Sequence, residues 1–433
     1  MKYYCIGIKG AGMATLACIL NDLGNTVSGY DDVKEYKFTC DGLIERNIEI
    51  FYDDHEIDKD TIVTYSVAVP LDHKELSRCR ELGLKIVKYN EILGEITGMF
   101  ESICISGTHG KTTTSSLIKH VFDNVYKVNY FIGDGTGHAI KDNKLFVIES
   151  DEFNRHFLTY HPCYTVITNI EEEHMEIYKD LDDIVNTFET FAKKTKKKIV
   201  ACGDNANIKR IKFDVPVIYY GLNKDNEYYV DNITTDTLGT NFDLYHNGEL
   251  VDNITIPIFG QHNVLNTTAA IIICLEEKVE ISKIKELLKS FKNAKRRFET
   301  MEVGETTIID DYAHHPTEIE VTLKAARDRY PTREIVALFK PNTYSRTKDF
   351  TKEFIDSLNI ADKVYITEID SNREKQEDYP GISSKMILDG LKNGEMIDEE
   401  SVDKLLKHKD SVIVFMSCAS IAHIKEKLIN LIK

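Results

Sequence analysis

Between positions 103 and 114 the chain reads ICISGTHGKTTT, an apolar strand pattern that breaks into a glycine-bounded loop, a lysine and three threonines. A triphosphate is the ligand such a run suits. Backbone N–H groups from Gly107 through Thr108 and His109 to Gly110 can face phosphate oxygens, as can the first turn of the helix that follows. Lys111 adds a mobile positive charge, and Thr112, with Thr113 behind it, adds a hydroxyl for Mg2+. The strict phosphate-loop pattern is not met, because Ile105 stands early in the run and the first loop glycine is Gly107. An ordinary strand-to-helix turn is the competing reading.

Other residue groups fall where such a loop would need them. LFVIESDE ends an apolar strand at Glu149, a carboxylate able to complete the metal shell begun by Thr112. TNIEEEHME brings His174 to another strand end, either as a satisfied surface or core histidine or as a ligand of a second metal. In GQHNVLN, Asn263 can simply cap a helix, or the group can meet an adenine edge. Arg296 and Arg297 are a solvated pair or a γ-phosphate contact made when domains close. DDYAHHP gathers two acids, a tyrosine and two histidines at a strand end stopped by Pro316, and KPNTYSRT puts Arg346 at the same carboxyl edge. The run Lys193 to Lys198 reads as a solvated helix end.

The elements that must position these groups are legible from periodicity. KYYCIGI, a small-residue turn, a helix to Gly24 and TVSGYDD ending at Asp31 form a Rossmann-type half, with Gly7, Gly10 and Gly12 spaced GxxGxG, not as in nicotinamide-cofactor proteins. The strand TIVTYSVAV follows, and this unit spans residues 1–98. A second unit, 99–294, alternates strand and helix and then changes texture near Glu227, where Asn247-Gly248 signals a hairpin and an extra antiparallel sheet is expected. A third, 295–433, alternates again. Three α/β domains are the economical reading at 433 residues.

Composition narrows the partners. A formal net charge of -17 argues against duplex nucleic acid, whose phosphates reward excess Lys and Arg. Nine scattered cysteines without a CxxC pair read as reduced thiols of a cytoplasmic protein. No apolar run approaches the length that spans a bilayer, so no membrane insertion is expected.

Taken in order, GTHGKTTT, ESDE, TNIEEEH, GQHNVLN, RRFE, DDYAHHPTEI and YSRT resemble the Mur ligase family, and within it the members that add L-alanine to UDP-N-acetylmuramate. The likeness spans all three units. It implies an N-terminal Rossmann-like domain for the UDP moiety, a central P-loop ATPase-type domain and a C-terminal Rossmann-like domain closing over ATP and the amino acid. It also implies ATP with Mg2+ or Mn2+ as cofactors and a monomer or homodimer. By that resemblance Gly10, Ala11, Gly12, Met13, Asp31 and Ser66 serve the UDP substrate. Lys111 meets the β/γ-phosphates, Thr112 and Glu149 hold one metal, and His174 holds a second. His262, Asn263 and Asn266 lie near adenine, Arg297 at the γ-phosphate and Asp311 at the ribose, while Tyr312, His314 and Arg346 surround L-alanine.

The chain also departs from the family pattern. Glu173 replaces the usual Asp before the metal histidine, and Thr343 stands where an arginine is common. VFMSCASI replaces a glycine-rich segment, and Thr187 to Phe191 offer no lysine where some relatives carry a carbamylated one.

The implied chemistry is attack of the muramate carboxylate on the γ-phosphoryl group, giving an acyl phosphate and ADP, then attack by the alanine amine. His314 or His315 is the candidate proton acceptor. Rival readings are a recycling ligase that accepts a preformed peptide, a nucleotide-binding regulator without ligase activity, and a dehydrogenase, the last opposed by the off-pattern glycine turn.

Overall fold

The computed structural model describes residues 1–236, 238–371 and 374–433. Each of three sheets is built from one of the alternating stretches read above. In the first, β1 (Lys2–Ile6), β2 (Thr26–Tyr30), β3 (Glu49–Phe51), β4 (Thr61–Tyr65) and β5 (Lys85–Ile86) lie in the order β3-β2-β1-β4-β5, all parallel. The order reverses at β1, which is where a doubly wound sheet opens a crevice for ligand. Tyr4, Ile6, Tyr30, Val63 and Leu76 form the core of one face.

The second sheet has ten strands: β6 (Glu101–Ser106), β7 (Asn129–Ile132), β8 (Thr136–His138), β9 (Leu145–Glu149), β10 (Tyr164–Ile167), β11 (Lys198–Cys202), β12 (Val217–Gly221), β13 (Tyr228–Thr235), β14 (Thr240–His246) and β15 (Glu249–Ile256). Their order is β15-β14-β13-β12-β11-β10-β6-β9-β7-β8. The hairpin expected at Asn247-Gly248 is present, with both residues at positive φ as a two-residue turn requires. Its strands do not make a separate sheet. Tyr228 and Tyr229 pair in parallel with Tyr220 and Gly221, so β13 to β15 extend the edge of the central sheet. The mixture of apolar and polar residues that suggested an independent sheet reflects edge strands with one solvated face.

The third sheet runs β16-β17-β21-β18-β19-β20, formed by β16 (Glu299–Val303), β17 (Thr306–Asp311), β18 (Ile335–Phe339), β19 (Lys363–Ile366), β20 (Gly394–Met396) and β21 (Val412–Met416). Only β16 is antiparallel to its neighbour. The unbroken apolar run Ile335 to Phe339 follows from burial on both faces. Ile335, Ala337 and Phe339 enter one core, and Val336 and Leu338 enter the other.

The chain divides into two compact units, one comprising Met1–Val230, Leu244–Asp252 and Leu265–Leu288, the other Asp231–Asp243, Asn253–Val264 and Lys289–Lys433. All nine cysteines are free thiols and eight are buried. No described helix is long and apolar enough to cross a membrane.

Candidate active site

The glycine turn of the first unit sits at the carboxyl edge of β1. Gly7 N and Ile8 N donate to Tyr30 O, at 2.8 and 3.1 Å, and Ser66 N donates to Ile6 O at 3.0 Å, which brings the ends of β1, β2 and β4 together. Gly7 has φ +73, and a Cβ there would press on Ser66 and Val69 at 3.1 Å, so glycine is required. Gly10 then caps the helix Ala11–Asp22 without a side-chain bond, and Met13 is buried beneath it. Asp31 is buried too, but its oxygens accept the N–H groups of Lys9 (2.9 Å) and Val33 (3.1 Å). Its carboxylate therefore clamps the turn. The structure gathers Gly10, Ala11, Gly12, Met13, Asp31 and Ser66 at one edge.

The phosphate loop follows β6 as the strand pattern required, and the helix Lys111–Val125 starts at Gly110, whose φ is +85. Gly107 and Gly110 are both cradles that a side chain would fill. A Cβ on Gly107 would lie 2.0 Å from Thr168 Oγ1, and one on Gly110 would lie 2.4 Å from Asn266 Oδ1. The expectation that every N–H from Gly107 to Gly110 faces ligand needs correction. Thr108 N donates to Asn169 O at 3.0 Å and His109 N to Asn169 Oδ1 at 2.8 Å, so these two hold the loop to the segment after β10. The helix N-terminus at Lys111 is the other part of the loop that the sequence reading offered to an anion.

Lys111 reaches back across this loop. Its Nζ donates to Gly107 O (2.6 Å), Thr108 O (3.1 Å) and both oxygens of Glu152 (3.1 and 2.9 Å). Burial disfavours its charge, but Glu152, Asp151 and Glu149 outweigh that and hold its pKa above the ordinary lysine value. Thr112 Oγ1 donates to Glu149 at 2.9 and 3.1 Å, and Gly133 N donates to the same carboxylate at 2.8 Å. The threonine hydroxyl and the strand-end acid proposed as a metal pair are therefore in contact.

Ligand atoms of Asp151, Glu152 and His174 lie within 4.8 Å of one another. His174 is held at φ +56, a left-handed conformation uncommon outside glycine, and its ring meets Phe153 edge-on at 4.9 Å. Burial lowers its pKa, yet Glu176, Glu173, Glu152 and Asp151 together raise it above the usual histidine value. Glu173 lies 3.9 Å from His174 Nδ1. Sequence reading took Glu149 from ESDE and passed over Asp151 and Glu152. Three acids in four residues after an apolar strand was the available signal. Asn169, which shapes the phosphate loop, lies within the TNIEEEH run, where nothing local sets it apart. The stretch Thr187 to Phe191 lies in the helix Leu181–Ala192, where Phe188 and Phe191 pack on Phe157 at 5.2 and 4.4 Å.

In the second compact unit the carboxyl edge of β17 and β21 collects Arg296, Arg297, Asp311 and Tyr312. Arg296 and Phe298 both have positive φ. Arg296 bonds Asp310 (3.2 Å) and the Ser417 carbonyl, and both guanidinium groups lie over the Tyr312 ring, Arg296 at 5.4 Å and Arg297 at 5.2 Å. The sequence could not separate the two; in the structure Arg296 is bonded to Asp310 and to the Ser417 carbonyl. Asp311 accepts N–H groups from Phe298 (2.7 Å) and Ala313 (2.8 Å), and burial pushes its pKa up to about 6 against the pull of Arg297.

The histidine pair is also resolved. His315 is buried and caps the helix Pro316–Arg329 in a capping box with Glu318. His314 is partly exposed, 3.0 Å from Glu318 and edge-on to Tyr312 at 5.5 Å. Thr343 caps the short helix Tyr344–Asp349, whose first turn carries Arg346. Ser417 and Ser420 of the divergent segment engage Arg296 and Lys340 through their carbonyls. His262 and Asn263 begin the helix Gln261–Glu276, where Asn263 Nδ2 donates to Phe259 O at 2.7 Å.

The donor set fits a nucleotide with divalent metal: two glycine cradles, a buried ammonium, a threonine hydroxyl on a carboxylate, and a second carboxylate–histidine group. Joined to three predominantly parallel sheets, it defines a phosphate-loop α/β protein. The chain belongs to the Mur ligase family. The models described as Mur ligase family, catalytic domain, Mur ligase middle domain, and Mur ligase, glutamate ligase domain match residues 2–101, 105–274 and 296–418. The chain is 42% identical over 421 residues to the UDP-N-acetylmuramate–L-alanine ligase of Levilactobacillus brevis, covering 97% of this chain and 94% of that protein. Among solved structures it is similar to the UDP-N-acetylmuramate-alanine ligase MurC of Thermotoga maritima, with 26% identity, TM-score 0.84, and coverage of 100% and 99% of the two chains. A murein peptide ligase of Psychrobacter arcticus shares the fold at 21% identity and TM-score 0.71, over 100% and 98% of the chains.

Proposed function

We propose that this chain joins L-alanine to the carboxylate of UDP-N-acetylmuramate, with ATP as co-substrate, in peptidoglycan precursor synthesis. The carrying observation is the contact of Thr112 with Glu149 beside a Lys111 held by Glu152, in a chain so similar along its length to a ligase of that name. Residues 1–98 are assigned to the UDP substrate, 99–294 to ATP, and 295–433 to the amino acid and nucleotide closure. Because ATP is its co-substrate, the activity belongs in the cytoplasm.

The chemistry follows from charge. A carboxylate oxygen must approach the γ-phosphorus while the bond to the bridging oxygen breaks and ADP leaves. Anion approaches anion, so the positive charge of Lys111 and Arg297 offsets repulsion and stabilises the oxygens of the transferred group. Thr112 and Glu149 would hold one Mg2+, and His174 with Asp151 and Glu152 a second; when bound, such ions neutralise charge and polarise the phosphoryl oxygens. The alanine amine then forms the C–N bond, phosphate departs, and the amine proton passes to a base. His314 is assigned that role, because it is accessible and oriented by Glu318 whereas His315 is committed to a helix cap. Tyr312 and Arg346 are assigned to alanine, with Arg346 pairing its carboxylate and no second arginine at Thr343. His262, Asn263, Asn266 and Asp311 are assigned to the nucleoside.

The test is ADP release and amide formation by purified protein with UDP-N-acetylmuramate and Mg-ATP, adding L-alanine, glycine, L-serine or the murein tripeptide. L-Alanine should give the highest rate with a matching product. A tripeptide preference would assign a recycling ligase, and silence with every acceptor would refute ligation.

A further inference from the structure

Tyr89 has no part in the machinery above, yet it stands between two of its components. It opens the helix Tyr89–Met99. A methyl group on Gly12 would lie 2.6 Å from its hydroxyl oxygen, so the phenol rests against the N-terminal turn of the helix Ala11–Asp22. Its ring meets Phe131 at 6.5 Å and His156 at 6.4 Å, both edge-on. The hydroxyl donates to no described residue.

Both sides of this arrangement are fastened. Thr159 Oγ1 donates to Asn90 O at 2.6 Å, and a Cβ on Gly94 would lie 2.5 Å from Thr159 O, which locks the tyrosine's helix to the segment following Glu149. Asp22 takes Arg46 (2.8 Å) and His138 (2.7 Å), and Gly137 lies against Thr15, which pins the helix Ala11–Asp22 to the hairpin β7–β8. Tyr89 thus has a fixed address between the glycine turn and the strand-end acids.

In the ligase reading the substrate runs along that line, its diphosphate at the glycine turn and its carboxylate at the phosphate loop. Burial first, then the nearby Asp151 and Glu149 carboxylates, hold the phenol's pKa well above its ordinary value, so it remains a proton donor. We propose that Tyr89 is a substrate-positioning residue that donates its hydroxyl hydrogen bond to the sugar-side phosphate of UDP-N-acetylmuramate, an inference that rests on the ligase reading. Contact with Gly12 selects the phosphate as acceptor over the muramate carboxylate, which belongs nearer the acids.

Tyr89→Phe keeps the ring and its packing. Calorimetric affinities of the full chain and this variant would be compared for UMP, UDP, UDP-N-acetylglucosamine and UDP-N-acetylmuramate, alongside a non-hydrolysable ATP analogue and the melting temperature. Loss of one hydrogen bond to a charged group predicts about tenfold weaker binding of UDP and both UDP-sugars. UMP, the ATP analogue and the melting temperature should not change. Unaltered affinities throughout would overturn the proposal, as would a loss confined to UDP-N-acetylmuramate, which would make the carboxylate the acceptor. A loss shared by UMP, or a fall in melting temperature, would show a structural role only. If the parent chain binds no UDP-sugar, the ligase reading fails independently of Tyr89.

Discussion

Lys111→Met separates what the lysine does for stability from what it does for catalysis. Its side chain is 13% exposed and that of Glu152 4% exposed, with the ammonium 2.9 Å from the carboxylate. Removing one partner of a buried pair costs about 3 to 5 kcal/mol, because the other charge is left uncompensated. Asp151 nearby makes the stranded Glu152 worse off. For a domain of this size that is a fall in melting temperature on the order of 10 °C.

The pH dependence has a definite sign. Burial already raises the Glu152 pKa above 4.5, and losing Lys111, which lowers it, raises it further. A carboxylate with a raised folded pKa imposes no penalty below its unfolded pKa and an increasing one as pH climbs through the folded value. The variant's deficit should therefore be larger at pH 8 than at pH 5. Scanning calorimetry of the parent, Lys111→Met, and Lys111→Met with Glu152→Gln checks this. The double variant should recover most of the lost stability while remaining inactive. Equal melting of the single and double variants at pH 8 would refute the buried-pair argument.

Glu149→Gln should lower ADP release by at least about a hundredfold and move its Mg2+ dependence to higher concentration, read from an Mg2+ titration at fixed ATP; an unchanged Mg2+ requirement would remove Glu149 from the metal shell. Gly110→Ala must strain φ +85 and drive Asn266 aside, whereas Gly24→Ala, at φ +86 with open space around it, bears the strain alone, about 1 to 2 kcal/mol. Only the Gly110 variant should lose ATP-analogue affinity in a binding titration. Asp311, with a folded pKa of about 6 against 3.8, makes the parent protein lose about 2 kcal/mol relative to Asp311→Asn as pH rises from 4 to 7. Melting curves of the two proteins across that range should converge or cross accordingly, on top of a pH-independent offset from the two backbone N–H bonds.

Much of the site was legible because phosphate chemistry constrains local sequence. Strand, glycines, lysine and threonine must be consecutive to make a loop at a helix N-terminus, so Gly107 to Thr113 could be read directly. Apolar runs such as LFVIE and IVALF announced strands buried on two faces, and their ends announced where polar residues would collect. What chain order could not supply was orientation. Arg296 and Arg297 are neighbours in sequence and both lie over Tyr312, and it took the fold to show that Arg296 also bonds Asp310 and the Ser417 carbonyl. His314 and His315 were equivalent candidates until the cap of the following helix took His315.

The sequence by itself determined the alternating α/β elements, the phosphate loop and its likeness to the Mur ligases, since each depends on residues close together along the chain. Tertiary structure alone decided that Glu152 belongs to Lys111, that Asn169 shapes the loop, that β13 to β15 extend the central sheet, and that Tyr89 lies against Gly12. Three of these are meetings between residues 41 to 77 positions apart, and the pairing of Tyr228 with Tyr220 is the local exception. They depend on strand order and on side-chain direction, quantities that local periodicity does not encode.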